Sequence, residues 1–178
     1  PNTTFFDPTP FSRYTKDVTF ELHMMVDNPI QYLKPFADAG FRRFLGHIEQ
    51  MPDQEEFVAQ GQLLGEVGLA IDGPTDFSAI KVPYTDLDCI LIMSIKAGQS
   101  GQAFTPEYLK KVEAISTGDN PSTRLARSGL VIEIDGGIND RTIVQAKNAG
   151  ANRFVANSFV FGAQNPQVQY SLLKKCLE

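Results

Sequence analysis

The sequence predicts a parallel α/β fold, and three observations carry the prediction. Short apolar runs alternate with amphipathic stretches along the chain. The apolar runs are continuous, as in strands buried on both faces. No meander or hairpin signal joins one strand to the next. Strands separated by helices build a parallel sheet with helices packed on it. An open doubly wound sheet and part of an eight-stranded barrel both satisfy this pattern. In either, ligands bind at the C-terminal ends of the strands.

Each element has its own signal. Residues 18–26 read as a strand, and 28–40 as a helix with Ile30, Leu33 and Phe36 at helical spacing and a glycine stop. Strand 43–48 is followed by helix 53–61, and strand 64–71 by the turn Asp72-Gly73-Pro74-Thr75. Residues 76–82 make a short helix at best. The run 89–95 is a strongly apolar strand, 96–102 a glycine-containing loop and 106–115 a helix. The polar stretch 116–128 leads into strand 130–135. Helix 139–150 follows, with Asn139 placed to cap it. Strand 153–157 and helix 165–177 complete six β-then-α units.

Composition narrows the function. The 178 residues suit one domain spanning 1–178, and the net charge is −5 with a pI near 5.1. An acidic chain lacks the basic stripe that nucleic-acid binding requires. The doublets Arg42-Arg43 and Lys110-Lys111 read as solvated helix faces. Cys89 and Cys176 have no partner at metal-ligand spacing, and a chain without a disulfide framework fits the reducing cytoplasm. No apolar run reaches membrane-spanning length, and no signal peptide opens the chain. Pro1-Asn2-Thr3-Thr4-Phe5-Phe6 reads instead as a loop.

Chemistry concentrates at three strand ends. Gly98-Gln99-Ser100-Gly101-Gln102, Asp135-Gly136-Gly137 and Ala156-Asn157-Ser158 follow the last three strands. Glycines admit a ligand close to the backbone, and a following helix presents free N–H groups, which together suit phosphate. Asp135 shares a strand face with Glu133, and inward carboxylates on a buried strand are costly unless they bind or react. His23 shares a face with Glu21 and Met25. It sits at the same level as Asp135, which makes the two spatial partners. His47, beside Glu49 on one face, ranks second to His23.

Five segments resemble the ribulose-phosphate 3-epimerases: Glu-Leu-His-Met-Met-Val (21–26), Gly-Leu-Ala-Ile (68–71), Met-Ser-Ile-Lys-Ala-Gly-Gln-Ser-Gly-Gln-Ala-Phe (93–104), Ile-Glu-Ile-Asp-Gly-Gly-Ile-Asn (132–139) and Phe-Val-Ala-Asn-Ser-Phe-Val-Phe-Gly (154–162). They stand in family order with family-like spacing. The resemblance implies a (β/α) TIM barrel that interconverts ribulose 5-phosphate and xylulose 5-phosphate, with a divalent metal such as zinc, iron or manganese. It implies that Asp135 is an acid/base and a metal ligand and that His23 is a second ligand. Met25 and Met93 would line the pocket, and Gly98, Gln99, Ser100, Gly101, Gly136, Gly137, Asn157 and Ser158 would hold the phosphate.

Two departures shape the expectation. The phosphate loops are altered, with Lys96-Ala97 where the family has Asn-Pro, and Asn157 where it has glycine. Asn157 would crowd the phosphate or supply a donor, and Lys96 would add attraction. Further, the resemblance aligns Pro1–Phe5 with the loop after the family's second strand. The chain therefore reads as an incomplete TIM barrel, six βα units matching strands 3–8. The other acid/base aspartate and two metal ligands would precede Pro1, and neither Asp7 nor Asp17 stands in for them. Six strands leave open edges and exposed inner faces. The expectation is an impaired epimerase that covers its edges as a homo-oligomer. The alternatives are a non-catalytic sugar-phosphate-binding or assembly module and an epimerase for another sugar phosphate such as a hexulose phosphate.

Overall fold

Strands β1 (Glu21–Met24), β2 (Arg43–His47), β3 (Glu66–Ile71), β4 (Cys89–Met93), β5 (Val131–Asp135) and β6 (Arg153–Val155) form one parallel sheet in the order of the chain. They belong to a computed structural model that describes residues 7–98, 102–118 and 129–178. Between and after the strands lie α1 (Ile30–Asp38), α2 (Gln54–Gln62), α3 (Leu109–Thr117), α4 (Thr142–Ala149), α5 (Ser158–Phe161) and α6 (Pro166–Leu177). Sequential parallel order with helical crossovers makes the six strands a curled partial barrel of the TIM type.

The period of two along each strand separates two cores. Outward residues, among them Phe44, Leu69, Ile71, Ile90, Ile92 and Ile134, pack against Leu33, Phe36, Phe57, Val112, Ile143 and Ala146 of the helices. Inward residues Leu45, Ala70, Cys89, Leu91, Met93 and Ile95 form a smaller cluster inside the curl. Helix ends are closed as local chemistry dictates. Asp53 caps α2 by accepting from Glu56 N–H, and Asn165 caps α6 by accepting from Val168 N–H.

The inside of the curl also carries charge. Arg153 on β6 donates from Nη1 to Glu21 of β1 at 3.2 Å and to Glu133 of β5 at 3.4 Å. Its Nη2 reaches Glu66 of β3 at 3.5 Å, and Arg43 of β2 holds the same Glu66 at 2.7 Å. Glu133 is fully buried and its Oε1 has no hydrogen-bond partner. Burial pushes the Glu133 carboxyl up to about 8, and the neighbouring Glu21 carboxylate adds to this against the pull of Arg153. Glu133 therefore holds a proton to higher pH than an exposed carboxyl does.

The structure corrects several expectations. The first strand is shorter than 18–26. As an edge strand it pairs only with β2, whose ladder begins where Arg42 N–H donates to the Phe20 carbonyl. Residues 76–82 hold no α-helix; two 3-10 turns, Phe77–Ala79 and Tyr84–Asp86, lie on either side of Pro83. The Ala156-Asn157-Ser158 loop runs directly into a short helix, α5. The basic doublets are not solvated helix faces throughout. Arg43 lies on a strand, and Lys111 donates to the carbonyls of Asp72, Gly73 and Thr75. The inner faces of the end strands are largely covered, with Glu21 and Arg153 side chains only 20% and 22% exposed.

Two outcomes test this packing. Phe57 is fully buried and its ring fills the space beside Gly46. Phe57→Ala will cost about 3–5 kcal/mol in urea unfolding. The folded state holds the Glu133 proton more tightly than the unfolded chain. The wild type will therefore lose stability as pH rises from about 4.5 to about 8. Glu133→Gln, measured at both ends of that window, will flatten the loss; an unchanged slope would show that Glu133 is not its source.

Candidate active site

All strands run parallel, so their C-terminal ends meet at one end of the curl. The inward period brings Met93 of β4, Asp135 of β5 and Val155 of β6 into register as direct neighbours. Above them lies a cavity of about 230 Å³ lined by Met25, Met93, Ile95, Gly98, Asp135, Gly136, Gly137, Ile138, Val155, Asn157 and Ser158. Eight residues singled out in the sequence thus share one wall. Gln99, Ser100 and Gly101 fall outside the described residues.

The glycine pair has a geometric reason. Gly136 and Gly137 adopt φ of 115° and 62°, a region L side chains rarely enter. A Cβ at Gly137 would sit 2.7 Å from the backbone nitrogen of Phe104, so the loops after β4 and β5 touch here through backbone alone. Thr142 Oγ1 donates to the Gly137 carbonyl at 2.9 Å, and Ser94 Oγ donates to the Asp135 carbonyl at 3.0 Å and to that of Gly136. Asn139 Oδ1 accepts from Arg141 and Thr142 N–H, so it caps the turn into α4 as its position predicts.

His23 meets Asp135 across the curl, with Nδ1 3.5 Å from Oδ2 and side chains 17% and 21% exposed. His23 Nε2 lies 2.8 Å from His47 Nε2, and His47 Nδ1 lies 3.1 Å from Glu49 Oε2. Glu49 Oε1 accepts the Asp72 N–H at 2.7 Å. Burial opposes ionisation of Glu49, yet hydrogen bonds from His47, Thr75 and Asp72 outweigh it and hold the carboxyl at about 2. Asp72 in turn accepts the Ala97 N–H at 2.8 Å, which ties the loop after β3 to the loop after β4.

A larger cavity of about 590 Å³ adjoins the first and shares Met25 and Gly98 with it. Tyr32, His47, Glu49, Asp72 and Lys96 line it. Lys96 thus faces this second cavity, while the glycine-walled cavity is lined by Asn157 and Ser158. Several residues here escaped the reading of the sequence. Ser94, Asp72, Thr142 and Lys111 hold loops through backbone groups, a role with no residue-type signature. Asp72 alone had a signal, because it keeps the inward parity of Ala70.

His23 and Asp135 are suitable metal donors in type, but they are two. Among the described residues no group of three or more His, Cys, Asp or Glu is arranged to hold a metal. The pair does not make a metal centre by itself.

Comparison with known proteins now bears on this geometry. The model of the ribulose-phosphate 3 epimerase family matches residues 2–161. The ribulose-phosphate 3-epimerase of Schizosaccharomyces pombe is 36% identical over 165 residues, covering 92% of this chain and 69% of that protein. The cytoplasmic isoform from Oryza sativa is 35% identical over 165 residues, covering 89% and 68%. Among solved structures, the 3-hexulose-6-phosphate synthase of Salmonella typhimurium superposes with a TM-score of 0.66 at 13% identity, covering 96% of this chain and 77% of that one. That likeness supports the barrel-type fold. The family match covers the strand-end residues described above, and the chain belongs to the ribulose-phosphate 3-epimerase family.

Proposed function

We propose that this chain binds a ketopentose phosphate in the glycine-walled cavity and exchanges the proton at C3 through Asp135. The observation that carries the reading is the meeting of Asp135 and His23 at 3.5 Å beside a cavity rimmed by Gly98, Gly136, Gly137, Asn157 and Ser158. Backbone N–H groups of the glycine turn and of Asn157-Ser158 would take the phosphate. That places the sugar carbons over Met25, Met93 and Asp135. Asp135 then removes a proton next to the carbonyl, the step for which a positioned carboxylate is suited. The relatives' names support ribulose 5-phosphate and xylulose 5-phosphate as the sugars. A divalent cation expected of the family would find two donors in His23 and Asp135 and would draw its remaining ligands from outside the described residues.

Asp135 is the carboxylate that lines this cavity among the described residues. Inversion at C3 needs proton transfer on both faces of the intermediate. On this reading the described residues of the glycine-walled cavity serve one face, and full epimerase turnover by the chain is slow. Retention of the binding wall without chemistry, as in a sugar-phosphate-binding module, is the competing reading. A second copy is the proposed partner. Phe161, Val168, Tyr170 and Leu172 are exposed on α5 and α6, and exposed apolar surface favours association. No helix among the described residues is long and apolar enough to cross a membrane, and the cytoplasm suits a sugar-phosphate substrate.

Three measurements bear on this. Incubated in deuterated water with xylulose 5-phosphate and ribulose 5-phosphate in turn, the purified chain will exchange the C3 proton of one of them faster than it forms the other epimer. Rapid epimerisation by a monomer would sink the one-faced reading, and binding without exchange would favour the non-catalytic one. Asp135→Asn will reduce exchange by about a hundred- to ten-thousand-fold while phosphate binding persists. Sedimentation at micromolar concentration will show a dimer or larger species; a clean monomer removes the partner proposal.

A further inference from the structure

We propose that Lys111 and Asp72 are positioning residues that fix Gly98 at the wall of the glycine-walled cavity, Lys111 by folding the turn after β3 and Asp72 by holding the loop after β4. Lys111 rises from α3, and its Nζ meets three carbonyls of one turn: Asp72 at 3.2 Å, Gly73 at 2.6 Å, and Thr75. Three acceptors call for three N–H donors, which an ammonium has and a neutral amine lacks. The rings of Phe77 and Tyr108 flank the same nitrogen, each centroid 5.8 Å away. Thr75 N–H donates to the Asp72 carbonyl at 3.0 Å, which closes the turn. A Cβ at Gly73 would strike the Tyr108 ring, so Tyr108 packs directly on the turn's backbone. The turn is therefore wrapped around a cation supplied by the helix that follows β4.

The folded turn presents Asp72 to the neighbouring loop. Asp72 Oδ1 accepts the Ala97 N–H at 2.8 Å, and the Asp72 N–H donates to Glu49 Oε1 at 2.7 Å. Two further bonds lie within the connection from β4 to α3. Thr105 N–H donates to the Ser94 carbonyl at 2.9 Å, and Gln102 Nε2 donates to the Lys96 carbonyl at 2.8 Å. These shape the loop itself, whereas the bond through Asp72 sets where residues 96–98 stand relative to β3. Gly98 follows Ala97 directly and lines both cavities.

Without the ammonium, the carbonyls of Asp72, Gly73 and Thr75 lose a shared donor, and the turn no longer holds Asp72 against Ala97. Arginine does not replace lysine here. Carbonyls that converge on one point suit a compact ammonium, not a planar guanidinium fork. The role at the cavity rests on the function proposed above; the hold on Ala97 rests on the contacts alone.

Amide hydrogen exchange followed by NMR reads the hold on the loop, and calorimetric titration with ribulose 5-phosphate reads its consequence, both on the full chain. In Lys111→Met the Ala97 amide will exchange about tenfold faster than in the wild type, beyond any change at the fully buried Leu91 of β4. Ribulose 5-phosphate will bind about tenfold more weakly. Lys111→Arg will show the same losses. Asp72→Ala will match them with α3 untouched, which keeps the test decisive where loss of Lys111 prevents folding. Asp72→Asn keeps an accepting oxygen and will lie between Asp72→Ala and the wild type. An Ala97 amide that speeds up only as much as Leu91 reports general destabilisation and overturns the proposal. So does an Asp72→Asn variant no better than Asp72→Ala, and so do variants that free Ala97 yet bind ribulose 5-phosphate as the wild type does. A wild type that does not bind ribulose 5-phosphate refutes the proposed function and leaves the exchange result standing, so the two readings fail separately.

Discussion

Arg153 ties the last strand of the sheet to the first across the inside of the curl. From the last strand it reaches carboxylates on the first, third and fifth. Sheet hydrogen bonds join only neighbours in sequence, and among the described residues they leave the outer edges of β1 and β6 unpaired. The guanidinium crosses that opening with a planar fork that several carboxylates can share. Burying such a cluster is costly, and the cost shows at Glu133, whose proton is held more tightly than an exposed carboxyl's.

The meeting of His23 and Asp135 accords with that contact. Glu21 and His23 lie two residues apart on β1, and Glu133 and Asp135 two apart on β5. When Arg153 draws Glu21 and Glu133 together, the strand period carries His23 and Asp135 together one layer higher. The lower layer is thus the Arg153 cluster and the upper layer the His23–Asp135 pair.

That division explains what was legible in the sequence. Inward parity made the His23–Asp135 pair and the His47–Glu49 pair readable, because a strand face is a matter of counting by two. The glycine turn was readable because few backbones tolerate its angles. Arg43 and Lys111 were not, since a long charged side chain declares its partner only once the fold is known. Lys111 rises from α3 to bind three carbonyls of a loop that follows β3. No spacing along the chain announces a meeting between residues 36 to 39 positions apart. The 3-10 turns and the short α5 were lost for a different reason: Pro83 and a four-residue span leave too few residues for a period to show.

The two ends of the glycine-walled cavity are built from different materials, and this governs how each can change. The glycine end is backbone: Gly136, Gly137 and the turn at Asn157-Ser158, with loops that touch so closely that a Cβ at Gly137 would strike Phe104. Side chains at its rim, such as Asn157, vary without disturbing that frame. The other end is side chain: His23 belongs to both the pair with Asp135 and the contacts through His47 to Glu49, so a displacement of either partner is carried to the other through one ring.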